Sequence, residues 1–284
     1  MLHQPTVADA VRALDAFYPP ALKEDWDQIG LVCGDPAAPV AKAAFAVDPT
    51  LEAVGQAIEW GADLMVVHHP LLLRPVSSVA ATTFKGAIVH RLIRAGCALY
   101  TAHTNADAAA GGVADALAAS LGLSQVVPLA PKGADGAVGI GRVGRLPAPL
   151  RLGELAQRLA DGLPPNRHGV RIAGHPSQLV ERVALVGGAG DSLFDAVRAA
   201  GVDVYITADL RHHPALEARQ AAEFDGAGRP YLLDVSHAAS EWGWLQSAAE
   251  RLADALAGTG ARLQTWVIEE VADPWTARVE RTDG

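Results

Sequence analysis

Two rhythms of hydrophobic spacing alternate along this chain. Val7, Val11, Leu14 and Phe17 recur on one helical face, predicting an amphipathic helix near the N-terminus. Gly30 to Gly34 and Ala43 to Val47 are short apolar runs, and both predict strands. Asp48-Pro49-Thr50 then opens a helix that runs to Trp60, with Pro49 near its start and Gly61 at its stop. A strand over Leu64 to Val67, a helix from about Thr83 to Ala95, a strand over Cys97 to Thr101 and a helix from about Gly112 to Leu121 follow. Strands alternating with helices predict an α/β layered fold.

The same unit occurs twice. Ala43 to Val47 lies over Val183 to Gly187 without a gap (183 − 43 = 140). At that offset the helical Leu51 to Trp60 lies over Asp191 to Ala200. Gly61-Ala62-Asp63 and the strand after it lie over Gly201-Val202-Asp203 and its strand, and His68-His69 lies over Ala208-Asp209. The ungapped register and the matched Gly-x-Asp favour a true repeat over two common βαβ units that look alike. Between the copies the texture changes, with frequent Pro and Gly, a strand over Gly139 to Leu146, a helix over Leu150 to Leu163 and a strand over Val170 to Ala173. The chain therefore divides into a first α/β lobe at 1–125, a small inserted α+β lobe at 126–180, and a second α/β lobe at 181–284. Gly139-x-Gly141-x-x-Gly144 matches a dinucleotide fingerprint in letters, but Arg-Leu-Pro-Ala-Pro follows where a helix must open, so that reading is rejected.

Composition narrows the function classes. Half of the 284 residues are hydrophobic, enough for a sizeable core. A net charge of −9 lacks the basic face that a general nucleic-acid or anionic-membrane binder needs. No apolar run approaches the roughly 18 residues of a membrane span, and the N-terminal segment lacks a basic stretch before a long apolar one, so a cytoplasmic protein is expected. Cys33 and Cys97 imply no disulfide framework and read as two buried thiols.

Candidate chemistry gathers at strand ends, where α/β sheets build their sites. His68 and His69 follow an apolar strand and precede Pro70. On a regular strand they point to opposite faces, but at a strand end both can address one cavity. A single His in that place is more often an ordinary polar residue, and two in succession raise the odds of metal binding. Tyr100 to Asp107 follows another apolar strand. Asp107 is either a ligand able to bridge two cations or, less easily given its distance, a cap for the helix near Gly112. His237 and Glu241 share one helical face four residues apart, as a ligand pair or a surface i,i+4 pair. Three His and two carboxylates exceed what one closed tetrahedral site needs and suit two metals sharing a carboxylate. Such a centre activates water near neutral pH, so hydrolysis is the natural reaction class. His103 is expected nearby as an outer partner, a proton carrier or a substrate contact.

The set Trp26-Asp27-x-x-Gly30-Leu31, His68-His69-Pro70, His103-Thr104-x-x-Asp107 and Ser236-His237-x-x-x-Glu241 resembles the Nif-three-like dinuclear metal-centre proteins, commonly named GTP cyclohydrolase 1 type 2 homologues. The resemblance covers roughly 1–125 and 181–284. It implies two similar α/β lobes around a dinuclear metal site, with the 126–180 lobe as a short form of an insert that some members carry. It also implies His68, His69, Asp107, His237 and Glu241 as metal ligands, with Glu241 or Asp107 bridging, and a toroidal hexamer. The cofactor expected is two divalent ions per chain (Zn, Fe or Mn), since His and carboxylate sets accept several metals. The implied activity is a dinuclear-metal-dependent hydrolase of the GTP cyclohydrolase type, acting by water attack on the purine ring. The alternative is a non-enzymatic metal-binding or regulatory ring protein. The chain has no Gly-rich phosphate loop with a Lys, so a nucleotide needs local arginines such as Arg74 or Arg211. Arg211, His212 and His213 are candidate substrate or subunit contacts, and Trp26 and Asp27 are candidates for the site entrance.

Overall fold

The computed structural model describes residues 4–133, 136–257 and 262–279. Along them run α1 (Val7–Phe17), β1 (Gly30–Cys33), β2 (Lys42–Ala46), α2 (Leu51–Trp60), β3 (Leu64–Val67), α3 (Phe84–Ala95), β4 (Ala98–Thr101) and α4 (Thr104–Ala108). Next come α5 (Val113–Ser120), β5 (Ser124–Lys132), β6 (Val138–Arg151), α6 (Leu152–Gly162), β7 (Arg171–Ala173) and β8 (Leu179–Ala189). Then follow α7 (Phe194–Ala200), β9 (Val204–Ala208), α8 (His212–Phe224), β10 (Tyr231–Val235), α9 (His237–Trp242), α10 (Trp244–Ala257) and β11 (Gln264–Val267).

Helix ends fall where side chains satisfy the orphan amides. Thr6 and Asp9 form a reciprocal capping box on α1. Thr50 and Thr83 cap α2 and α3, accepting from Ala53 N and Gly86 N. Gly61 and Gly201 end α2 and α7 in the left-handed conformation, with φ of 79° and 59°.

The chain forms two compact units, Met1–Gly112 with Trp244–Ala272, and Val113–Gly243 with Asp273–Gly284. In the first, β2, β3, β4 and β11 are parallel and β1 closes an edge antiparallel, in the order β1-β4-β3-β2-β11. Met65, Val67, Leu99, Val54, Ile88 and Leu92 fill a core under α2 and α3. β3 and β4 are buried at every residue, as strands covered on both faces must be. In the second unit the order is β5-β6-β8-β9-β10-β7, with β8, β9 and β10 parallel and β5, β6 and β7 antiparallel to their neighbours. Leu152, Leu155, Leu159, Val183, Ile206 and Leu233 join in one core there.

The repeat is present in the register itself. Ala43 pairs with Leu64, and Val183 pairs with Val204. Asp63 accepts hydrogen bonds from the amides of Ala41 and Lys42, and Asp203 from those of Glu181 and Arg182. In each unit the third parallel strand, β4 or β10, carries an antiparallel edge strand and runs into a short helix, α4 or α9. The matched Gly-x-Asp thus has two tasks. The glycine ends the helix, and the aspartate ties the next strand to the start of the previous one.

The boundaries expected at 125 and 180 are corrected. Residues 126–180 are not a separate lobe: β6 pairs with β8 from Arg142 opposite Leu185 to Arg151 opposite Leu179, and β7 pairs with β10. The Gly and Pro texture belongs to the edge strand β5 and to its neighbour β6, which is paired on both sides. A Cβ on Gly141 would lie 2.8 Å from Leu185 O, and one on Gly139 2.2 Å from Ala130 O. Residues 244–272 return to the first unit because β11 pairs with β2, Gln264 opposite Lys42, and Ile268 enters the first core. β6 is one continuous strand, which agrees with rejecting the dinucleotide fingerprint. Both cysteines are free thiols, and burial pushes the Cys97 thiol up to about 12. No helix among the described residues is long and apolar enough to cross a membrane.

Candidate metal centre

His68 and His69 lie just beyond β3, where the chain leaves regular strand geometry. Both of their amides donate to the same carbonyl, Val47 O, at 3.1 and 2.9 Å. That shared acceptor breaks the alternation of a strand, and the two rings lie side by side with centroids 5.1 Å apart. His103 completes a triangle, with its ring 5.2 Å from His68 and 5.6 Å from His69. One ligand nitrogen from each of the three lies within 4.8 Å of the others.

Each ring is oriented through Nδ1. His68 Nδ1 is 2.8 Å from Ala102 O, a carbonyl that can only accept, so Nδ1 carries the proton and Nε2 presents a lone pair. His69 Nδ1 is 2.7 Å from Asp48 Oδ1, and His103 Nδ1 is 2.7 Å from Asp27 Oδ1. Asp27 is fully buried and also accepts from Thr104 N and Thr104 Oγ1. Burial opposes its ionisation, but the hydrogen bonds from His103 and Thr104 outweigh burial and hold its carboxyl well below the usual carboxylate range. Trp26 is exposed and meets the His103 ring edge-on at 5.9 Å, consistent with a place at the entrance.

Asp107 sits on α4, a five-residue helix that the spacing did not predict, so the region after β4 is not an open loop leading to Gly112. Asn105 holds that turn, accepting from His103 N and donating to Tyr18 O. Asp107 Oδ1 is 3.6 Å from His68 Nε2.

The second unit builds its own pair. His237 opens α9 and Glu241 follows one turn later, with Nε2 and Oε1 3.2 Å apart. Glu241 is buried. His237 Nδ1 is 2.7 Å from Asp209 Oδ2, again leaving Nε2 toward the carboxylate. Gly188 lies beneath them with φ 69°, and a Cβ there would be 2.4 Å from Glu241 Oε1 and 3.0 Å from His237 Nε2.

These residues fit a metal. In both His68–Asp107 and His237–Glu241 an imidazole Nε2 faces a carboxylate oxygen, and with Nδ1 already protonated both facing atoms are acceptors. Two lone pairs at this range repel unless a proton or a cation lies between them. Borderline divalent ions take this N and O donor set, and the Nδ1 anchors are the outer-shell contacts that fix the ligand tautomer.

The sequence reading named His68, His69, His103, Asp107, His237 and Glu241, and the structure gathers the first four in one unit and pairs the last two in the other. It missed Asp48, Asp209 and Gly188 as supports. Asp209 had a signal, since the repeat sets it at the position of His69. Arg211 opens α8 paired with Asp191, beside His212 and His213, whose rings meet edge-on. Arg74 is exposed.

A family model described as Duf34/NIF3 (NGG1p interacting factor 3) matches residues 5–274. A Streptomyces coelicolor protein named "GTP cyclohydrolase 1 type 2 homolog" is 49% identical over 278 residues, covering 97% of this chain and 95% of its own. A Mycobacterium tuberculosis protein of the same name is 37% identical, covering 95% of this chain and 96% of its own. Among solved structures, a Bacillus cereus protein related to NIF3 is similar at TM-score 0.86 and 22% identity, covering 96% of this chain and 99% of that one. A Staphylococcus aureus hypothetical protein is similar at TM-score 0.85 and 25% identity, covering 97% and 100%. With the repeated α/β unit and the strand-end His and carboxylate groups in view, the chain belongs to the Duf34/NIF3 family.

Proposed function

We propose that this protein is a metal-dependent hydrolase in which His68, His69, Asp107, His237 and Glu241 hold two divalent metal ions per chain, Zn, Fe or Mn. The observation that carries the reading is the common posture of four imidazoles. His68, His69, His103 and His237 are each bound at Nδ1 by a carbonyl or carboxylate oxygen. In two of them Nε2 faces a carboxylate oxygen. Bound divalent metals supply Lewis acidity and lower the pKa of water toward neutrality. Asp107 and Glu241 are the carboxylates suited to bridging.

His103 is the proton carrier. Asp27 stays ionised across the physiological range, holds the Nδ1 proton and directs Nε2 outward. That geometry lets Nε2 take a proton from an attacking water and return it to a leaving nitrogen. Trp26 screens His103 from solvent on one side.

The names of the relatives point to a nucleotide substrate, with GTP the first to try: one water adds at C8 of the purine and opens the imidazole ring to a formamide, and a second water hydrolyses that formamide, releasing C8 as formate and leaving the amine. The ring hexamer implied by the resemblance is part of the same proposal. Purified protein loaded in turn with Zn, Fe or Mn should be screened against GTP, other nucleotides, phosphoesters and small amides, with and without chelator. Turnover that chelation abolishes and one metal restores supports the reading. Two bound metals with no turnover of any substrate would favour a metal-binding or regulatory role instead.

A further inference from the structure

The second unit holds a cavity of about 660 Å³ whose lining includes Arg167, Arg171, Arg278, His168, Trp275 and Asp209. Three arginines against one aspartate in its lining make the cavity a locally cationic place in a chain of net charge −9. The volume falls within the range of small-molecule sites.

One guanidinium is rigidly presented. Asp234 is buried and accepts from Arg171 Nε at 2.7 Å, from His168 Nε2 at 2.9 Å and from Leu210 N at 2.9 Å. It anchors one edge of Arg171, while 57% of that side chain stays exposed. A planar fork fixed at one edge and open at the other suits a phosphate. Trp275 is 67% exposed, so its indole is not serving as core. The backbone that carries it is anchored: Trp275 N donates to Asp273 Oδ1 at 2.9 Å, and Asp273 Oδ2 accepts from Ser236 Oγ at 3.2 Å. Ser236 is the N-cap of α9, which begins with His237. An exposed indole on an anchored backbone is a stacking platform for a planar ring. Asp209 lines the same cavity and binds His237 Nδ1.

We propose that this cavity binds a nucleoside phosphate, with the phosphates on Arg167, Arg171 and Arg278 and the base on Trp275. Its place beside the metal ligand His237 rests on the metal-centre reading above, whereas binding in the cavity does not. Asp209 connects the two, as a wall of the cavity and as the anchor of a ligand.

The test uses the full chain stripped of metal with EDTA. GTP, guanosine and inorganic phosphate are titrated by calorimetry at low and high salt, with Arg167→Ala/Arg278→Ala and Trp275→Ala beside the wild type and thermal unfolding as the folding control. GTP should bind with a Kd below about 1 mM, and guanosine roughly tenfold more weakly for want of charge-assisted contacts. The double Arg variant should lose about tenfold in GTP affinity and much of its salt dependence, and Trp275→Ala should lose roughly threefold to tenfold. Equal affinity for guanosine and GTP, wild-type affinity in the folded double variant, or no GTP binding at all would overturn the proposal. His237→Ala separates the two readings: it should lose metal yet keep metal-free GTP binding, while the double Arg variant should keep metal.

Discussion

His237 Nδ1 lies 2.7 Å from Asp209 Oδ2, and Asp209 stands in the second unit where the repeat sets His69 in the first. In the first unit the imidazole at this position is itself oriented by a carboxylate, Asp48, at 2.7 Å. In the second unit the roles are exchanged. The carboxylate occupies the second strand end, and Gly188, the counterpart of Asp48, gives up its side chain to make room for Glu241 and His237.

Removing the carboxylate charge at Asp209 should weaken metal binding while every ligand remains. Asp209 has φ 55°, a conformation Asn also tolerates, so Asp209→Asn adds little backbone strain. Loss of such an outer partner costs about 10–100-fold in metal affinity. Competition with a chromophoric chelator should give a fall in that range. Unchanged affinity would mean the His237 ring is oriented without Asp209.

Gly188→Ala should displace Glu241. Its Cβ would meet Oε1 at 2.4 Å, and the positive φ adds roughly 1–2 kcal/mol of backbone strain. Gly201→Ala is the matched control, with φ 59° and nothing within 4 Å of the new Cβ. Both variants should unfold at lower temperature than the wild type, but Gly188→Ala should also lose bound metal. Equal metal content in the two would remove the steric argument.

His103→Gln should keep its metal and lose turnover by about 10²–10⁴-fold, the usual contribution of a positioned proton carrier. Parallel loss of metal in elemental analysis would instead make His103 a ligand, which its closeness to His68 and His69 permits.

Asp27 should couple stability to acid. Its folded pKa lies below the ordinary value of 3.8, so its stabilising contribution is full above that value and is lost as pH falls toward the folded one. Asp27→Asn should therefore be less stable than wild type at neutral pH in urea unfolding with chelator present. The gap should narrow below about pH 4. A gap that widens in acid would contradict the assignment.

Much of the first unit is readable from sequence because its parallel strands are short, apolar and closed by Gly or a turn. The repeat is readable because Asp63 and Asp203 make the same backbone ties. What failed was long-range. Whether β6 joins β8 or folds apart depends on pairing between distant residues, and nothing local in 138–151 marks its partner. The same holds for β11, which crosses back to β2. At the site the candidate ligands stood out as polar groups at apolar strand ends. Asp48 resembled an ordinary helix start, and Gly188 resembled any strand glycine. Their work depends on a side chain that arrives from elsewhere in the sequence.

The most direct measurement is metal content per chain in the purified wild type, His68→Ala and Glu241→Ala, by elemental analysis alongside protein quantitation. The account predicts two divalent ions per wild-type chain and loss of both in each variant, since two shared ions lose their geometry together. Full metal content in both folded variants, or no tightly bound divalent metal in the wild type after loading, would contradict it.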